Sequence, residues 1–307
     1  MLHVAARPVP TGPAPPPSRR HRVMPEEPPP GQGALIAIGG AEDKTSRSAV
    51  LQRVMSLAPT DQIEVGVITT ASRIPDKVFD GYRQTFDALG ASEVHFLDVR
   101  QRADAQDDAN LATLARCGVI FISGGDQLRL THILGGSPML DAIRERRADG
   151  AVVAGTSAGA AAMSATMIYD GAAADAMRKG AVKMSAGLGF VRSVVIDSHF
   201  LKRGRFTRLL EVGATNPEYL GVGLGEDAGV IIHPGPILEA IGEGIVIVMD
   251  SSRQGHSNIA DLEVGEPVAV EHVIVHALTS GYGYDVQQRT FLPVGTAFTQ
   301  RPEGEPA

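Results

Sequence analysis

With 307 residues and 43% hydrophobic content, the chain has material for a sizeable core, and its net charge of −7 argues against a general nucleic-acid binder. No apolar run approaches the 18 residues expected of a membrane span. The single cysteine, Cys117, cannot close an internal disulfide and suits a reducing cytoplasm, and its apolar setting in "LARCGVIFI" reads as a buried structural thiol.

The first 32 residues, "MLHVAARPVPTGPAPPPSRRHRVMPEEPPPGQ", hold a large share of the 20 prolines and are poor in aromatic and β-branched side chains. They are expected to be disordered. Their arginines precede no apolar stretch of useful length, so they do not read as a secretory signal, and Met24 is an alternative start.

Regular structure is predicted from residue 33. "GALIAIGG" (33–40) reads as a buried strand ending in glycines, and "SRSAVLQRVMSLA" (46–58) has helical spacing at Val50, Leu51, Val54 and Leu57. "IEVGVITTAS" (63–72) is strand-like, and "DKVFDGYRQTFDALG" (76–90) is an amphipathic helix stopped at Gly90. "EVHFLDV" (93–99) and "DANLATLARC" (108–117) repeat the strand–helix pair, as do "GVIFISGGDQ" (118–127) and "PMLDAIRERRADG" (138–150). "AVVAGTSAGAAAM" (151–163) then gives strand, turn and helix. This alternation predicts an α/β fold, doubly wound around a mostly parallel sheet. The second half is less orderly, with "VVIDSHF", "RFTRLLEVGA" and "YLGVGLGEDAGVII" followed by "GIVIVMD", "PVAVEHVIVHAL" and "RTFLPV". The late runs suggest antiparallel strands on the edge of the same sheet. Residues 33–298 read as one catalytic domain and 299–307 as a flexible tail.

Reactive groups on open parallel sheets gather at the carboxyl ends of strands. Gly155, Thr156, Ser157, Ala158 and Gly159 form a Gly-x-Ser-x-Gly sequence at such an end. A sharp turn there would expose the hydroxyl of Ser157, and the Ala158 amide could donate to an oxyanion. Small residues for close packing are the other reading of the same stretch. A nucleophilic serine needs a base, and His199 follows an apolar strand beside Asp197, Arg203, Arg205 and Arg208. A third member is offered by "GLGEDAG", where Glu226 and Asp227 follow another apolar run. The order serine, histidine, acid differs from that of α/β-hydrolases, in which the acid precedes the histidine.

Five stretches, "GGAEDK" (39–44), "GGDQLRL" (124–130), "GTSAGA" (155–160), "DSHFLKRGRFTRLL" (197–210) and "GLGEDAG" (223–229), resemble, in this order, the cyanophycinase family of serine peptidases, related to dipeptidase E. The resemblance covers most of residues 33–298. It implies a fold similar to class I glutamine amidotransferases, with a nucleophile elbow. It implies hydrolysis of cyanophycin, a poly-aspartate backbone with arginine on each β-carboxyl, to β-Asp-Arg dipeptides. It assigns Ser157 as nucleophile, His199 as base and Glu226 as orienting acid. The amides of Gly125 and Asp126 would complete the oxyanion hole, with Ala158, and Gln127 would touch substrate. Asp197, Arg203, Arg205 and Arg208 match the family's polar substrate pocket, where guanidinium groups would grip aspartate carboxylates and Asp197 would meet the substrate's arginine. Ser198 stands where the family usually has glutamine, and Gly225 where aspartate is common. This departure leaves Asp-X and other small acidic peptides, cleaved in the manner of dipeptidase E, as the alternative substrates. A homodimer is also implied. A non-catalytic protein whose glycine loops cradle a small anion is the reading from a different class.

No cofactor is expected, since there is no Gly-x-x-x-x-Gly-Lys loop and the glycine pairs lack dinucleotide spacing. No metal is expected either. "EHVIVH" would put His272 and His276 on one strand face, but without a third ligand nearby.

Overall fold

The computed structural model describes residues 32–45, 48–233, 235, 237–296 and 298, so the expectations for residues 1–31 and 299–307 lie outside the described residues. The first half builds β1 (Leu35–Ile38), α1 (Ala49–Ser56), β2 (Glu64–Ile68), α2 (Pro75–Ala88), β3 (Glu93–Leu97), α3 (Asp108–Leu114), β4 (Val119–Ile122), α4 (Gln127–Leu134), α5 (Pro138–Ala148), β5 (Val152–Thr156) and α6 (Ala158–Ala161). The second half adds β6 (Thr166–Asp170), β7 (Lys183–Ala186), β8 (Val194–Asp197), α7 (Phe206–Thr215), β9 (Leu220–Leu224), β10 (Ala228–His233), β11 (Ile237–Gly242), β12 (Val246–Asp250), β13 (Ile274–Leu278), β14 (Gly283–Asp285) and β15 (Thr290–Leu292).

Five parallel strands, ordered β1-β5-β4-β2-β3, form the heart of a nine-stranded sheet. Their near-continuous apolar sequences follow from burial on both faces. In β1, Ile36 and Ile38 enter the core under α1 and α2, with Val50, Val54, Tyr82 and Phe86. Leu35 and Ala37 point the other way, into the core shared with α3, α4 and α5. Alternation along the strand thus feeds two helical layers.

The α4 helix, which lies between the stretches predicted at 118–127 and 138–150, begins where the Asp126 side chain accepts the amides of Leu128 and Arg129. Cys117, between α3 and β4, is fully buried, and desolvation pushes its thiol up to about 12.

The late strands depart from the single-sheet expectation. β10, β11, β14 and β15 do extend the main sheet antiparallel from β1. β8, β9, β12 and β13 instead form a separate four-stranded sheet, ordered β13-β12-β9-β8. The reason is local: β8 and β9 run parallel with α7 between them, so they make their own crossover unit. Leu209 and Val212 of α7 pack with Val195, Ile247 and Met249 on one face of this sheet, whereas Val194, Ile196, Val222 and Val248 on the other join the main core. The stretch "RFTRLLEVGA" is therefore a helix. Among the described residues no helix is long and apolar enough to cross a membrane.

Candidate active site

The apolar run of β5 ends at Thr156, paired with Ile38 of β1, and the chain turns abruptly at Ser157. Ser157 has φ 51° and ψ −110°, a conformation that costs on the order of 1–3 kcal/mol and persists only where the surroundings enforce it. Two glycines make room. A Cβ at Gly155 would sit 2.7 Å from the carbonyl carbon of Gly159, and one at Gly159 would sit 2.3 Å from the Ile122 carbonyl oxygen. The Ser157 amide donates to the Ile38 carbonyl at 2.9 Å. The helix α6 that follows is a single turn of four residues, shorter than the sequence suggests, so its dipole adds little at the turn.

His199 follows β8, and Glu226 lies in the turn through which the chain passes from β9 in the small sheet to β10 in the main one. The second sheet therefore matters: it carries the imidazole to the end of the first. His199 Nε2 is 3.1 Å from Ser157 Oγ, and His199 Nδ1 is 3.0 Å from Glu226 Oε1. The histidine side chain is 16% exposed and the glutamate side chain 37%. With Nδ1–H donating to the carboxylate, the Nε2 lone pair faces the hydroxyl and can take its proton. His199 and Asp227 share the left-handed backbone of Ser157, each with φ 48°.

The residues expected around these three fall into two groups. Gly124 adjoins the serine, since a Cβ on it would lie 3.0 Å from Ser157 Cβ, and it leads into Gly125. Asp126 does not fit the oxyanion role, because its amide donates to the Ala71 carbonyl at 2.9 Å and its carboxylate caps α4. Gln127 Nε2 donates to the carbonyls of Ile168 and Tyr169 at 3.1 and 3.3 Å, tying α4 to β6.

Asp197 also departs from the expectation that it meets substrate. It is 2% exposed, with Oδ1 at 2.9 Å from Arg205 Nη1 and Oδ2 at 3.1 Å from Arg208 Nε. The second contact is an ion pair without hydrogen-bond alignment. Arg205 Nη1 also donates to the Ser198 carbonyl, and Arg208 Nη1 to that of Gly171. Burial pushes the Asp197 carboxyl up and the Arg208 guanidinium down, and the opposite charges offset that cost. Ser198 is buried, and only Arg203 of the three arginines is exposed. The cluster in this conformation braces the segment that bears His199. Arg208→Ala is expected to destabilise the protein by roughly 1–3 kcal/mol in urea unfolding, because Asp197 keeps Arg205 while its buried Oδ2 and the Gly171 carbonyl lose their partner. Arg203→Ala should leave the urea midpoint unchanged.

The histidine pair of "EHVIVH" does not share a strand face: His272 precedes β13 with φ 57°, and His276 packs on Tyr284 and Phe291. The sequence reading also passed over Glu42, a buried carboxylate beneath Thr156. An acid two residues after paired glycines at a strand end was the available signal.

A hydroxyl, imidazole and carboxylate linked in this way, at the carboxyl end of a parallel sheet, define a serine-type hydrolase. Comparison with known proteins narrows the class: the model of peptidase family S51 matches residues 35–238, and the chain belongs to that family of serine-type peptidases. It is 35% identical over 261 residues to a cyanophycinase of Trichormus variabilis, covering 85% of this chain and 88% of the relative. It is 37% identical over 268 residues to a cyanophycinase of Synechococcus elongatus, covering 85% and 83%. Among solved structures, a peptidase from an acI-B1 Actinobacterium superposes with a TM-score of 0.62 at 20% identity, covering 83% of this chain and 97% of that one, and shares the fold.

Proposed function

We propose that the protein is a serine exopeptidase that hydrolyses cyanophycin to β-Asp-Arg dipeptides through an acyl-enzyme. The observation that carries the chemistry is the continuous relay from Ser157 Oγ through His199 to Glu226 at 3.1 and 3.0 Å. Similarity to cyanophycinases along most of the chain supports the substrate.

In this reading Ser157 attacks the amide carbon while His199 Nε2 takes its proton, and Glu226 stabilises the imidazolium. Amides of Ala158 and Gly125 hold the oxyanion, without Asp126. His199 then gives the proton to the leaving amine. Water, deprotonated by the same imidazole, attacks the ester carbon, and the Ser157 oxygen leaves with a proton.

A second reading, cleavage of Asp-X or other small acidic peptides, is favoured by one observation. Asp197, Arg205 and Arg208 are engaged with each other, which leaves Arg203 as the exposed charge of the expected pocket. The reducing cytoplasm remains the compartment that suits a single buried cysteine, and a homodimer remains part of the family-based proposal. Incubation with purified cyanophycin is expected to release β-Asp-Arg dipeptide, identified by mass. Turnover of Asp-X dipeptides with an untouched polymer would favour the second reading instead.

A further inference from the structure

We propose that the loop at residues 39–43 is a positioning device for the reactive groups, with the Glu42 carboxylate as the strut beneath the serine; this rests on the reading of Ser157 as nucleophile. Glu42 is 5% exposed. Its Oε2 accepts from Thr156 Oγ1 at 2.7 Å, and its Oε1 accepts from the Tyr82 hydroxyl at 2.5 Å. Lys44 Nζ lies 3.6 Å from Oε1 and 4.2 Å above the Tyr82 ring, so the buried negative charge is paired. Burial and the neighbouring carboxylate push the Tyr82 hydroxyl well above its ordinary range, which keeps it a donor.

Thr156 is the last residue before the strained serine. Its side chain is the one that Glu42 holds, while the Ser157 amide is held by Ile38, the residue before the loop. The same loop reaches the other two segments. The Gly39 carbonyl accepts the His199 amide at 2.8 Å, and the Gly40 carbonyl accepts the Asp227 amide at 3.1 Å. The Asp43 amide donates to Asp227 Oδ1 at 3.0 Å, next to Glu226. Gly40 lies directly against the imidazole, since a Cβ there would be 2.5 Å from His199 Cε1 and Nε2. Four of the five loop residues, Gly39, Gly40, Glu42 and Asp43, thus contact the segments that carry the serine, the histidine and the acid. A shift of the loop would change the distance from Oγ to Nε2, on which proton transfer depends.

The test uses Thr156→Val, Glu42→Ala and Glu42→Gln in the full-length protein. Thr156→Val removes one hydroxyl at nearly constant volume and cuts only the link from Glu42 to the serine segment. We expect it, and Glu42→Ala, to lower kcat and the rate of Ser157 labelling by a phosphonate reagent by about 10–10²-fold, with KM unchanged. Glu42→Gln can accept from Thr156 through its carbonyl and donate to the Tyr82 oxygen through its amide, so it should restore most of both rates. A purely structural role would move only the folded fraction, read by circular dichroism, and leave kcat per folded molecule unaltered. Should Glu42→Ala fail to fold, Thr156→Val decides. Wild-type kcat and labelling in Thr156→Val, or no recovery in Glu42→Gln, would overturn the proposal. Ser157→Ala, assayed alongside, separates the two levels. If it is inactive while Thr156→Val is not impaired, only the positioning role fails. If Ser157→Ala retains turnover, the nucleophile assignment fails and takes the proposal with it.

Discussion

Ser157→Ala is expected to fold as the wild type does and to lose turnover by about 10⁶-fold, the scale seen when a triad serine is removed. The loss follows from chemistry rather than packing. The hydroxyl oxygen is the only atom removed, and its partner in the structure is His199 Nε2 at 3.1 Å. The unusual backbone at φ 51° is no worse for alanine than for serine, and the glycines that relieve the turn remain. Thermal unfolding should therefore be unchanged, while release of dipeptide from the polymer disappears. Dipeptide release at the wild-type rate would remove Ser157 from the mechanism.

Glu226→Gln should lower kcat by roughly 10³–10⁴-fold, through the tautomer of His199 rather than through its position. As a carboxylate, Glu226 accepts from Nδ1–H across 3.0 Å and leaves Nε2 free to accept the serine proton. A glutamine amide can donate to Nδ1 instead, which places the ring proton on Nε2, where it opposes the serine hydroxyl. The half-exposed setting lets water compete for Nδ1, so the lower part of the range applies. Single-turnover labelling of Ser157 by a phosphonate should slow in parallel with kcat, because both need the same proton transfer. Equal labelling rates in variant and wild type would show that Glu226 does not govern the imidazole.

The parallel heart of the fold was legible because its physics is local. Apolar strands buried on both faces announce themselves in "ALIAI", "VGVI", "VIFI" and "VVAG", and the glycines around Ser157 mark a turn that only small neighbours permit. The second sheet was not legible, because an apolar run states that a strand is buried and not which edge it joins. "VVIDSHF" and "GIVIVMD" look alike whether they extend the first sheet or start another. The pairing inside the Asp197 cluster was not legible for a related reason. A dense group of charges in the sequence reads as a ligand pocket, yet Arg205 and Arg208, three residues apart at the start of α7, both reach inward to one acid. The bond of the Asp126 amide to Ala71 was not legible either, because it spans two loops that are distant in the chain. Glu42 was hidden by its residue type, since an acid in a loop is ordinarily solvated and this one is enclosed.

The pairing of β10 with β1 bears on biosynthesis. Leu35 opposes Ile232, so β1 must wait for a segment made nearly two hundred residues later. The loop that receives His199 and Asp227 hangs from the end of that waiting strand. A nascent chain halted before residue 228 would carry the serine, the histidine and the acid, but β1 would lack one of its two neighbours in the sheet.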